Sequence, residues 1–164
     1  MSAGQQLLVL AAIILLSVFI LRVYTTQHNN TKNIVTNAAI IKATGIAQTI
    51  IEQIQTEAFD SATVSKSVTS TALLTPVSRL GPDPGETNVT KFNDVDDYNN
   101  YTETDTIGTN DLFNVKVNVS YATKMNPDVT SSVPTFSKRV DVSVYNKYLN
   151  LIDTLKLSKV ISYY

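Results

Sequence analysis

The sequence predicts an α+β fold, in which a long N-terminal helix packs its second half on a C-terminal antiparallel β-sheet. Three observations carry that prediction. An unbroken apolar run, Leu7 to Leu21, lies close to the start of the chain. From Ile34 apolar residues recur every three or four positions, the period of one helix face. Beyond Leu112 they recur every second position, the period of a half-buried strand.

Between Leu7 and Leu21 the only non-apolar residue is Ser17, and Arg22 ends the run. Taken from Gln5 to Val23, at roughly 1.5 Å per residue, the segment spans about 28 Å, close to the hydrocarbon core of a bilayer. A buried helix of a soluble domain would show a polar stripe, and this segment has none. A cleaved secretory signal needs a basic start and a small-x-small site after the run. Met1 to Gly4 holds no Lys or Arg, and Leu21-Arg-Val-Tyr-Thr25 offers no such site. A retained transmembrane helix is therefore expected at residues 5–23. Only Arg22 and Lys32 are available nearby as charge signals, too few to set its orientation.

No proline occurs before Pro76, so nothing compels the helix to stop at the membrane boundary. Tyr24 to Asn33 is rich in Thr and Asn, mediocre helix formers that predict a frayed or locally unwound stretch. The amphipathic pattern then takes over: Val35, Ala39, Ala43, Ile46, Ile50, Ile54 and Ala58 on one face, with Lys42, Gln48, Glu52, Gln53 and Glu57 over much of the rest. The residues expected to meet the sheet are Ala39, Ala43, Ile46, Ile50 and Ile54. Gly45 costs about 1 kcal/mol relative to Ala without ending the element. Phe59-Asp60 reads as the helix exit, which places the whole helix at residues 5–60.

A β-rich globular part is expected over residues 61–164. It opens with a Ser/Thr-rich loop, followed by an irregular region at about 76–110 that contains Leu80-Gly-Pro-Asp-Pro-Gly85. Phe113, Val115, Val117, Val119 and Tyr121 alternate with polar residues and form the clearest strand. Asn126-Pro-Asp128 signals a turn, and Val140, Val142 and Val144 mark a second strand hairpin-paired with the first. Leu155, Leu157 and Val160 suggest a third.

Composition narrows the chemistry. Thirteen basic side chains nearly balance fourteen acidic ones, so there is no strong field to attract nucleic acid or anionic lipid. There is no Cys and a single His, His28, which rules out a disulfide framework, a thiolate metal site and a two-histidine zinc site. No phosphate loop, nucleophile elbow or HExxH is present, and neither a catalytic set nor a cofactor site is expected. The densest polar cluster is Asp94-Val-Asp-Asp-Tyr-Asn99, where Asp94, Asp96 and Asp97 could gather oxygens around a hard cation. Its spacing does not match an EF-hand loop, since Tyr98 falls where an oxygen ligand is needed. Turn chemistry, with Asp and Asn capping backbone amides, is the reading preferred over a metal.

Taken in order, four segments resemble the type IV pilin and pseudopilin family, and in particular minor pilins of the mannose-sensitive haemagglutinin type. They are Gly4 followed by the apolar run, the helical stretch Ile46 to Asp60, Phe92-Asn-Asp-Val-Asp-Asp-Tyr-Asn99, and Ser137-Lys-Arg-Val-Asp-Val-Ser-Val144. The resemblance implies a pilin-like fold and a leader, residues 1–4, removed by a membrane prepilin peptidase to leave Gln5 as the new terminus. It implies residence in the inner membrane before assembly. An ATP-driven pilus or secretion machine would then draw copies of the chain into a helical filament, either extracellular or a periplasmic pseudopilus. Leu7, Leu8, Leu10, Ile13, Ile14, Leu16, Phe19 and Ile20 would form the filament core. The chain departs from the family in two places: its leader has no basic residue, and Val9 stands where the family has glutamate. The alternative from another class is a single-pass anchored envelope protein whose exported β-rich domain binds a ligand or partner.

Overall fold

The computed structural model describes residues 2–106, 111–149 and 153–164. Helix α1 runs from Ala3 to Thr56, and the chain divides into two units, Met1–Ala38 and Ala39–Tyr164.

The first unit is helical from Ala3 onward. Its first turn closes early because the Ser2 carbonyl accepts from the amides of Gln5 (3.0 Å) and Gln6 (3.2 Å). The weak stretch expected at 24–33 is instead regular helix. Its threonines turn their hydroxyls onto the preceding turn rather than competing for other backbone conformations. Thr26 donates to the Arg22 carbonyl at 2.9 Å and Thr31 to that of Gln27 at 3.1 Å.

In the second unit the helix continues to Thr56 and passes through Gly45 without a break. Ala39, Ala43, Ile46, Ala47, Ile50, Ile51 and Ile54 are buried, all within one hydrophobic core. The buried stripe of this unit starts at Ala39, and Val35, expected on it, is exposed. The helix also ends four residues before the expected boundary. Ala58 is drawn into a parallel bridge with Asp94, the Val95 amide donating to the Ala58 carbonyl at 2.9 Å. Asp60 then adopts extended backbone and caps the 3-10 turn Ser61–Thr63.

Among the described residues four antiparallel strands follow as a meander, β1 (Thr102–Thr106), β2 (Leu112–Tyr121), β3 (Ser137–Tyr145) and β4 (Thr154–Ser162). The α+β architecture predicted from the sequence is therefore the one observed. On β2, Phe113, Val115, Val117, Val119 and Tyr121 are buried while Asn114, Lys116 and Asn118 are exposed. Val117 sits opposite Val142, and Val142 opposite Leu157, so the inward rows of three strands stack across one face. Residues 107–110 and 150–152 lie outside the described residues.

The region expected to be irregular at 76–110 is more ordered than its composition suggests. It holds 3-10 turns at Val77–Arg79, Val89–Lys91 and Val95–Tyr98, followed by strand β1. Asn88 and Asp94 cap two of these turns by accepting from the amides of Thr90 (3.1 Å) and Asp96. Gly85, with φ +105°, supplies the left-handed turn that closes the Pro-Asp-Pro-Gly run, a conformation costly for any residue with a Cβ.

Candidate functional site

The alternation of β3 runs Lys138, Val140, Val142, Val144, all pointing to the buried face. The pleat therefore carries a lysine into the interior, and its side chain is fully buried. An ammonium there is tolerable only if paired and hydrogen-bonded. Its nitrogen donates to the Phe59 carbonyl oxygen at 2.6 Å, to Asp60 Oδ2 at 2.9 Å and to Asp96 Oδ1. It also lies 4.4 Å from the centre of the Phe59 ring and 5.2 Å from that of Tyr121, favourable placements for a cation over an aromatic face.

The two carboxylates arrive from different elements and in different condition. Asp60 is immobilised from several sides. It accepts from the Ala62 amide (3.1 Å), the Thr75 amide (3.1 Å to Oδ2), the Thr75 hydroxyl (3.2 Å) and the Tyr121 hydroxyl (3.0 Å). Burial pushes its carboxyl up, but the Lys138 charge and hydrogen bond, with the backbone donors, outweigh that and hold it below its ordinary 3.8. Asp96 comes from the turn that Asp94 caps, and its carboxylate accepts from Lys138. Its Oδ2 is buried and meets no donor among the described residues. Burial, opposed by Lys138 and reinforced by the neighbouring Asp94 charge, raises its carboxyl to about 7. Asp94, buried and held by the Ser61 hydroxyl at 2.6 Å, is raised to about 6, again chiefly by burial. Burial, followed by the charge of Asp60, also pushes the Tyr121 phenol up.

The structure places Asp94 and Asp97, two of the three weak cation candidates, in backbone capping. Among the described residues no group of three His, Asp or Glu side chains is gathered in a way that could hold a metal ion. Asp94 caps its turn, and Asp97 Oδ2 accepts from the amides of Asn93 (2.9 Å) and Asp94 (3.2 Å), which completes a capping box. The positive charge beside Asp96 is the chain's own Lys138.

The processing and filament-core residues expected from the sequence belong to the first unit. Gly4 and Gln5 occupy the first turn of α1, where Gln5 Oε1 accepts from the Ser2 amide at 3.0 Å. Leu7, Leu8, Leu10, Ile13, Ile14, Leu16, Phe19 and Ile20 are all exposed, from 56% for Ile13 to 73% for Leu7. Among the described residues one helix, α1, is long and apolar enough to cross a membrane. No family model, curated protein or solved structure matches the chain.

The unequal carboxylates predict a definite pH profile. Asp94 ionises near 3.8 when unfolded and near 6 when folded. Over that interval the folded state holds a proton the unfolded chain has released, so stability falls as pH rises. Asp96 acts in the same direction up to about 7. Asp60 has the opposite sign: its contribution is present above its unfolded value and is lost as pH drops through the lower folded one. Melting temperature followed by circular dichroism should therefore increase on acidification from neutral to about pH 5 and collapse below about pH 4. A profile that stays flat from pH 5 to 7 would show that Asp94 and Asp96 are ordinary solvated carboxylates.

Proposed function

We propose that this chain is a structural subunit of a helical, type IV pilus-like surface filament or secretion pseudopilus, assembled through its apolar N-terminal helix. The observation that carries the reading is the segment Leu7–Leu21, whose large apolar side chains are exposed among the described residues. So large an apolar surface needs an external partner. Lipid satisfies it before assembly. A bundle of identical helices satisfies it afterwards at modest net cost, since lipid contacts are exchanged for protein contacts. Repeated head-to-tail association that does not close generates a filament rather than a ring. Val9 leaves no carboxylate to neutralise a neighbour's terminal amine, so apolar packing would set the register in this subunit.

Processing and assembly give the test. Protein recovered from its native host should begin at Gln5 and should appear in filaments sheared from the cell surface or, for a pseudopilus, in detergent-resistant assemblies of the envelope. An uncleaved terminus on a protein extracted from the membrane only as a monomer would overturn the proposal. That result would support the anchored binding protein instead.

A further inference from the structure

We propose that Lys138 and Asp96 become joined by an intramolecular amide bond, formed within the buried cluster with Asp60 as the proton-transfer residue. Four features of the site support this. The amine and the Asp96 carboxyl touch directly and are both shielded from water, with side-chain exposures of 0% and 1%. Asp96 Oδ2 meets no donor among the described residues, so this oxygen can leave without breaking a hydrogen bond to them. Asp60, on the other side of the same amine, keeps its negative charge and accepts from Lys138 at 2.9 Å. The rings of Phe59 and Tyr121 close over the nitrogen and exclude competing water.

The unequal condition of the two aspartates assigns their roles, since paired groups whose environments push them apart divide acid and base work. Asp96, which burial favours in the neutral form, supplies the electrophilic carbon. Asp60 supplies the base. The Lys138 ammonium gives a proton to Asp60, and the freed lone pair attacks Cγ of the protonated Asp96. The Nζ–Cγ bond forms, the tetrahedral centre collapses, and the Cγ–O bond breaks. Asp60 returns its proton to the departing hydroxyl, which leaves as water, and it takes up a second proton from the nitrogen. Lys138, Asp96 and Asp60 thus yield one amide, one water and a protonated Asp60. No oxidant, reductant or external co-reactant is required. Once the bond exists, Asp96 leaves the titration and Asp60 loses the Lys138 charge that held its carboxyl down, so the pH profile described above belongs to the unjoined protein.

Tandem mass spectrometry on a protease digest of the full chain, purified in detergent and selected for resistance to limited proteolysis, tests the bond directly. The expected product is a branched peptide joining the Lys138 and Asp96 segments and lacking one water, ~18 Da. The intact mass of Lys138→Arg, which keeps the charge but presents no ammonium to acylate, should exceed that of the wild type by one water more than the residue exchange explains. Asp60→Asn should fold but remain linear. A wild type that is folded, protease-resistant and entirely linear overturns the proposal. A branched product that forms undiminished in Asp60→Asn overturns the role given to Asp60.

Discussion

Replacing Lys138 with Met should destabilise the unit Ala39–Tyr164 by about 3–5 kcal/mol, because it removes the cation from a buried cluster and leaves its carboxylates behind. Met matches the aliphatic stem, so the loss reports charge and hydrogen bonding rather than a cavity. Most of the cost falls on Asp60, which is fixed as an acceptor for Thr75, Ala62 and Tyr121 and cannot simply turn outward. Asp96 recovers more easily by taking a proton, since burial already holds its carboxyl at about 7. Adding Asp60→Asn to Lys138→Met should therefore restore more stability than adding Asp96→Asn. Urea unfolding of the three variants measures the difference. The sign is the same whether the amine is held by hydrogen bonds or by an amide. Equal rescue by both second changes would show that the two carboxylates are not distinguished as described.

Placing lysines at Leu10 and Ile14 together should abolish stable membrane insertion. A dozen Leu, Ile, Val and Phe side chains in Leu7–Leu21 contribute roughly −4 to −7 kcal/mol on the insertion scale. Each lysine near the centre costs about 3 kcal/mol and also forfeits the residue it replaces, so the pair cancels nearly the whole gain. Because the two positions are four apart on α1, they share one helix face and cannot both avoid the bilayer core by rotation. The altered protein should appear in the soluble fraction after alkaline extraction, and the wild type should pellet with membranes. Persistence in the pellet would mean that residues 7–21 are not what holds the chain in lipid.

The two halves of the structure differ in how far the sequence reveals them. The stripe Ala39, Ala43, Ile46, Ile50, Ile54 and the alternation on β2 are repeats of a single local rule, and such repeats survive in one dimension. Strand β1, Thr-Glu-Thr-Asp-Thr, carries no apolar residue and is nearly all exposed; it exists because its backbone pairs with Thr102 opposite Lys116 through Thr106 opposite Leu112. An edge strand held by its ladder alone leaves no hydrophobic trace. Asp60 reads as a helix exit in sequence, yet it is the most heavily hydrogen-bonded carboxylate of the cluster. Lys138 left one signal. Carrying the period-two pattern of Val140, Val142 and Val144 back by one step lands on it, so a lysine at an inward position was readable, although its partners were not.

The sequence by itself determines the apolar segment near the N-terminus, the amphipathic helix, the strand alternation and hence the α+β class. Each of these depends on residues close together in the chain acting on one solvent boundary. The capping in the Asp94–Asn99 tract is local and legible in the sequence, and only the tertiary structure decides that Asp96 meets Lys138. That meeting spans 42 positions and exists because the bridge at Ala58 and the pleat of β3 bring three separate elements to one buried point. Charge pairing in a protein interior is set by where the backbone delivers the groups, and spacing along the chain does not encode it.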